Sequence, residues 1–217
     1  MIPMHQYPRV QHTINQHIML IKPINGPEGT YTRTEILYSN GKKVIKNMRP
    51  ARFIEYACRY RHNTYHHIKA EVKLLTGISS KPPIFIPNPQ AVTFFSTHSD
   101  RIPQNCWVNV DYVQKIEDKK DGKSKIILHS GHCLTVEVSQ YTLLHQYQNG
   151  IQLAYALIRQ DIKSGELVKK YDKTQHDELV SVIREFVSTF REMRLALTTD
   201  HWQYKQKIAE DPPFKNY

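Results

Sequence analysis

The feature that most limits the possible fold is a series of short β-favouring segments, separated by turn residues, in the second half of the 217-residue chain. Asp121-Gly122 is predicted to lie in a longer turn, and Ser130-Gly131 to close a two-residue hairpin. Strands that are joined by such short turns pair antiparallel. The predicted strands of this half are 91–95, 106–117, 124–129 and 133–138.

The first half combines further strands with a helical region. Its predicted strands are 18–24, 31–38 and 42–46. Asn40-Gly41 marks a tight turn before the last of them. Pro50 suits a first helical turn, and apolar residues then recur at helical spacing, with a second run from Tyr65 that continues the helix until Gly77. Helix is predicted again over 140–162. We therefore predict an α+β fold, mostly antiparallel β-sheet with a basic helical segment and a helical C-terminal section.

Positive charge is concentrated in one part of the chain. Residues 42–81 contain ten Lys or Arg and two acids, a net charge of +8, whereas the whole chain has a net charge of +10. Such a cluster creates a local positive field in which phosphates displace condensed counterions, so it indicates nucleic-acid binding. A solvated basic face without a partner is the alternative. The candidate DNA-binding residues are Lys42, Lys43, Lys46, Arg49, Arg52, Arg59, Arg61, Lys69, Lys73 and Lys81.

The chain divides into three predicted parts. Residues 1–17 are rich in His, Gln and Pro and are interpreted as a flexible N-terminal arm, 18–162 as the DNA-binding domain, and 163–217 as a C-terminal helix and tail. Residues 175–197 carry one continuous apolar stripe at helical spacing. The stripe is interpreted as a self-association surface, or as a face that packs on the chain's own sheet. Its candidate residues are Leu179, Ile183, Phe186 and Phe190.

Catalysis is not expected. Glu71-Val72-Lys73 matches half of a nuclease pattern, but the other half requires an upstream Asp, and no Asp precedes Asp100. We expect no catalytic residue, no metal site and no cofactor. Two alternatives to a nucleic-acid-binding module stay open: a metal-dependent DNA enzyme, and a basic protein-interaction module that does not bind DNA. No apolar run approaches the roughly 20 residues of a membrane span, so we expect no membrane partner and a cytoplasmic location.

A group of residues in the middle of the chain resembles the competence transcription factor ComK family of Gram-positive bacteria. The resemblance covers roughly residues 30–150, and its most specific part is the run Gly77–Ile84. The residues that carry it are Cys58-Arg59, Tyr65, Lys69-Ala70, Ile78-Ser79, Lys81-Pro82-Pro83-Ile84, Phe95, Thr97, Ser99, Arg101, Trp107, Gly131, Leu134 and Ser139.

What this resemblance implies is a transcription activator of genes for DNA uptake, associated with the nucleoid. Such proteins bind double-stranded DNA at A·T-rich promoter sites, as dimers or paired dimers, through the minor groove. The implied partners are therefore promoter DNA, a second copy of the chain and RNA polymerase. Clustered Arg fits this mode, since narrow A·T minor grooves concentrate negative potential.

A second, weaker resemblance links residues 106–146 to LytTR-type DNA-binding domains. Trp107–Val113, followed by a hairpin and Val138-Ser139, carries the likeness. Those domains are rich in β-structure and place loops on DNA. By analogy, Arg101 and the hairpin join the DNA-binding surface.

Overall fold

A computed structural model describes residues 14–26, 30–60, 63–87, 91–119 and 121–164. The first of two compact units of the chain, Met1–Arg159, contains both sheets. Its strands are β1 Ile18–Ile24, β2 Arg33–Tyr38, β3 Lys43–Lys46, β4 Ile84–Ile86, β5 Val92–Ser96, β6 Trp107–Asn109, β7 Val113–Lys119, β8 Lys123–Leu128 and β9 Cys133–Val136. The helices of the described residues are α1 Pro50–Tyr60, α2 Tyr65–Thr76 and α3 Gln140–Ser164.

Two antiparallel sheets organise the fold. The larger has six strands in the order β3-β2-β1-β6-β5-β4, and the smaller has three in the order β7-β8-β9. Each neighbouring pair is antiparallel. With three helices around this framework, the predicted α+β class is confirmed.

The large sheet is buried on both faces around β1 and β2. Ile21 and Ile36 belong to a core cluster that includes Phe53 of α1, whereas their neighbours Leu20 and Leu37 belong to a second cluster. Adjacent strand residues point to opposite faces, so each strand contributes to both cores. Because both of its faces are buried, β1 has a nearly continuous run of apolar residues. The second cluster also contains β7 and β8 residues, which places the small sheet against this face.

Two predicted elements were wrong because polar side chains interrupt them. The predicted strand 106–117 is divided into β6, a 3₁₀ turn at Val110–Tyr112, and β7. Asn109 causes the break, since its side chain accepts a hydrogen bond from the Asp111 N–H at 3.1 Å and donates to the Ile18 carbonyl at 2.9 Å. The predicted continuous basic helix is two helices. Thr64 caps the second one by accepting a hydrogen bond from the His67 N–H at 3.1 Å.

The turn at Ser130-Gly131 also differs from the prediction. The Leu128 N–H donates to the His132 carbonyl, so three residues, not two, form the loop. The Gly131 N–H donates to the Leu128 carbonyl, and Gly131 has φ 81°. This left-handed conformation closes a type I turn and favours glycine. Gly41, with φ 79°, ends the β2–β3 turn in the same way.

These two similar turns lie at corresponding positions of an internal repeat. Residues 18–60 form the first repeat (β1, β2, β3, α1), and residues 113–150 form the second (β7, β8, β9 and the start of α3). Ile36 pairs with Val44 in the first repeat, and Ile126 pairs with Leu134 in the second. The register of β1 on β2 shifts after Ile18, as the register of β7 on β8 shifts after Val113. Both strand pairings therefore have the same register.

One side-chain hydrogen bond, from a buried hydroxyl residue, occurs in both repeats. The Thr34 hydroxyl donates to the Met48 carbonyl at 2.6 Å, and the Ser124 hydroxyl donates to the Val138 carbonyl at 2.6 Å. Each bond ties the strand to the segment that leads into the following helix. Both hydroxyl residues are fully buried. The chain thus contains two copies of one βββα arrangement.

Candidate nucleic-acid interface

The β2–β3 turn, β3, the β3–α1 connection and α1 of the first repeat carry six of the predicted DNA-binding cations. Five of these side chains are exposed, and Lys46 is half-buried. We call this set the basic face, although Lys43 and Lys46 lie on opposite sides of the sheet, because successive strand residues alternate. Its members are Lys42, Lys43, Lys46, Arg49, Arg52 and Arg59.

Because α1 is amphipathic, its apolar side chains are buried and its arginine side chains are exposed. Phe53, Ile54, Ala57 and Cys58 are buried in the first core cluster. Arg52 and Arg59 lie off this stripe and are exposed, as the helical spacing predicted. Burial raises the pKa of the Cys58 thiol to about 12, so the thiol stays neutral behind the face.

Arg52 is the best positioned of these arginines. One of its terminal nitrogens lies 3.4 Å from the Tyr56 hydroxyl, and its guanidinium carbon lies 5.7 Å from the centre of the Tyr56 ring. The contact with the aromatic ring restricts the long side chain while leaving its other donors available. Glu55, also exposed, lies between Arg52 and Arg59 on the outer side of α1 and reduces the local charge.

The second repeat does not carry these cations. The six positions that correspond to them, 90 places later in the chain, hold neither Lys nor Arg: they are His132, Cys133, Val136, Ser139, Thr142 and Asn149. The two repeats share register, turn geometry and a side-chain hydrogen bond, so the βββα arrangement does not require the cations. The basic face is therefore a property of the first repeat's surface and not of its fold.

The remaining candidates are distributed over α2 and two loops. Lys73 is exposed on α2, and Lys81 and Arg101 are exposed in the α2–β4 and β5–β6 loops. Lys69 forms an ion pair with Asp100, with Nζ 2.8 Å from Oδ2. Lys69 is therefore engaged within the fold, which the sequence did not indicate, because its partner is 31 residues away.

Five predicted site residues lie outside the described residues. They are Arg61 and the four candidates for self-association, Leu179, Ile183, Phe186 and Phe190. The same holds for residues 1–13 of the predicted arm, whereas Ile14 is buried in the first core cluster.

Other site types find little support among the described residues. No group of three or more His, Cys, Asp or Glu side chains there could hold a metal ion. His129 is exposed at the hairpin, and the His132 ring lies 3.1 Å from the Ser130 hydroxyl. Within the same ranges, no helix is long and apolar enough to cross a membrane.

Comparison with known proteins gives one family and one curated relative. The sequence profile of the family described as ComK protein matches residues 9–162. A protein of Bacillus subtilis (strain 168) named "Competence transcription factor" is 25% identical over 100 residues. That alignment covers 46% of this chain and 52% of the relative, so the chain spans about half the length of the curated relative it matches. No solved structure matches.

Proposed function

The chain belongs to the ComK family, and we propose that it is a transcription activator of competence genes that binds double-stranded DNA at A·T-rich promoter sites. Its curated relative is named a competence transcription factor. In this proposal the protein acts in the cytoplasm, on the nucleoid, with RNA polymerase as a further partner. It requires no cofactor and catalyses no reaction.

The observation that carries the proposal is the contrast between the two repeats. Six cations lie on the β2–β3 turn, β3, the β3–α1 connection and α1 of the first repeat, whereas the corresponding positions of the second repeat hold neither Lys nor Arg. Like charges that lie close together repel each other, so an uncompensated cluster that the fold does not need favours an anionic partner. Duplex DNA supplies such a partner along its whole length.

The composition of the basic face favours the minor groove of A·T-rich DNA. Arg49, Arg52 and Arg59 are all exposed. A·T tracts have a narrow minor groove with enhanced negative potential, which attracts inserted Arg side chains. Readout in that groove distinguishes A·T from G·C pairs and needs few base-specific contacts.

A competition experiment tests the groove. Fluorescence anisotropy would measure the binding of the full chain to A·T-rich and G·C-rich duplexes of equal length. We expect tighter binding to the A·T-rich duplex, and displacement by a drug that occupies the A·T minor groove. Methylation of major-groove edges should leave the affinity unchanged. Equal affinity for both duplexes would leave only non-specific binding, and dependence of any DNA signal on a divalent metal would favour a DNA enzyme.

We also propose that the protein binds as a dimer. The family resemblance implies binding as dimers or paired dimers, and a two-fold protein fits a two-fold DNA site, since the symmetry of a site mirrors that of the protein bound to it. Changing Phe186 and Phe190 together to Ser should give a folded monomer that binds DNA weakly. Light scattering measures its mass, and circular dichroism its folding. A folded double variant that remains a dimer would exclude this stripe as the dimer contact.

A further inference from the structure

A small polar pocket lies beside the α2–β4 and β5–β6 loops of the first compact unit. It is formed by the start of α2, the α2–β4 loop, the β5–β6 loop and the first residue of β6. The side chains that matter for its chemistry are Lys69, Ser79, Lys81, Ser99, Asp100 and Trp107. Most of them also carry the family resemblance, yet no role in binding follows from that resemblance.

One hydrogen-bond donor among the described residues that line the pocket has no acceptor. Asp100 is the single carboxylate among its described lining residues, and its Oδ2 already accepts from Lys69 at 2.8 Å and from the Tyr65 hydroxyl at 2.9 Å. Trp107 is 1% exposed, and its indole N–H has no acceptor among the described residues. A buried donor of this kind is costly unless it is paired. The Trp107 N–H is therefore an unpaired donor among the described residues that line the pocket.

The pocket also carries an unpaired positive charge. Asp100 neutralises Lys69 through their ion pair, which leaves the Lys81 ammonium without a carboxylate among the described lining residues. The positive charge of Lys81 acts on its surroundings. Burial, and then the charge of Lys81, lower the pKa of the neighbouring His98. An acceptor with negative charge would complement both the donors and the field.

The backbone of Lys81 is held in an unusual conformation. Its φ is 45°, although Pro82 follows it. A residue before proline normally adopts an extended conformation, and a non-glycine residue with positive φ is uncommon. Such conformations are concentrated at ligand-binding positions, where the surrounding structure fixes them. The loop thus maintains the position of Lys81 at the pocket at an energetic cost.

We propose that this pocket binds a phosphate group. A phosphate offers several charged acceptor oxygens, which suit the Lys81 ammonium, the Ser79 and Ser99 hydroxyls and the Trp107 indole N–H. The group has two chemical sources, a phosphodiester of the DNA backbone or a free phosphorylated small molecule. In the first case the inference rests on the proposed function, and in the second it does not.

Intrinsic fluorescence tests this inference in the full chain. The chain has two tryptophans, so Trp202→Phe leaves Trp107 as the single reporter. Potassium phosphate should change its emission saturably and release or absorb heat in calorimetry, while potassium chloride at equal ionic strength should not. Lys81→Gln and Ser79→Ala should each weaken phosphate binding, Lys81→Gln by about tenfold. Lys115→Gln, at an exposed position on β7, is the control and should change nothing.

The outcomes separate the sources and the two proposals. If a duplex displaces phosphate, the bound group is a DNA phosphate; if duplex and phosphate bind together, it is a free ligand. If phosphate changes neither the emission nor the heat, the proposal that the pocket binds phosphate is wrong. The same conclusion follows if Lys81→Gln binds phosphate as tightly as the wild type. DNA binding that persists without a phosphate response overturns the pocket alone, whereas a phosphate response without DNA binding overturns the proposed function alone.

Discussion

The Nζ atom of Lys69 lies 2.8 Å from Oδ2 of Asp100 and so joins α2 to the β5–β6 loop. The Tyr65 hydroxyl donates to the same oxygen at 2.9 Å. The Tyr65 ring in turn contacts Trp107 edge to face, with 6.2 Å between the ring centres. Asp100 therefore links the helix, the loop and the start of β6. One of the cations that the sequence assigned to DNA binding thus also stabilises this junction.

Replacing Asp100 by Asn should lower the free energy of unfolding at pH 7 by about 1–3 kcal/mol, because two donors lose a charged acceptor. Burial acts against the carboxylate, but the bonds from Lys69 and Tyr65 outweigh it and hold the Asp100 pKa below its ordinary value. The stabilisation is thus complete above an unfolded-state pKa of about 3.9 and is lost as the pH falls through the lower folded-state value. Urea unfolding should show the two proteins converging in acid. A difference that persists undiminished to pH 2 would contradict this account.

Thr34→Val and Ser124→Ala should have similar effects, because each removes the donor of the same side-chain hydrogen bond in its repeat. We expect a loss of about 1–3 kcal/mol in the free energy of unfolding for each, since a part-buried carbonyl is left without its partner. Thr135→Val, at an exposed position on β9, is the control and should stay within about 0.5 kcal/mol. Urea denaturation measures all three variants. If only one of the paired variants is destabilised, the two repeats are not equivalent at this position.

Gly150→Ala should destabilise the protein, although alanine is normally the better helix former. A methyl group at Gly150 would lie 2.6 Å from Cγ1 of Val110 and 3.4 Å from Cβ of Phe95. Overpacking of this kind costs about 1–3 kcal/mol. Thermal unfolding should show a lower Tm for the single variant and a favourable coupling when Val110→Ala is added. A higher Tm for Gly150→Ala alone would show that α3 does not pack closely here.

Local signals predicted local structure well. The start of α1 at Pro50 and the turns at Gly41 and Gly131 depend on nearby residues, so the sequence was sufficient to place them within a few positions. The pairing of β1 with β6 and the contact of Lys69 with Asp100 depend on residues far apart in the chain, which no local pattern specifies.

The internal repeat was missed for a related reason. Ile36 and Gly41 recur as Ile126 and Gly131, but most of the surrounding residues differ between the repeats. The arrangement depends on burial and register, and many apolar residues satisfy both. A comparison of residues 90 positions apart in the sequence would have revealed the repeat. Without the repeat, the basic face could not be separated from the requirements of the fold.

The salt dependence of DNA binding tests the central claim most directly. If the six cations of the basic face meet phosphates, log K against log salt should have a slope of about −5. The variant Arg49→Ser/Arg52→Thr/Arg59→Asn gives the first repeat the neutral residues of the second, so it should fold normally and reduce the slope by about three. Lys115→Gln/Lys119→Gln/Lys125→Gln removes the same charge from the second repeat and should leave the slope unchanged. A wild-type slope near zero, or equal slopes for the wild type and the arginine variant, would contradict the account.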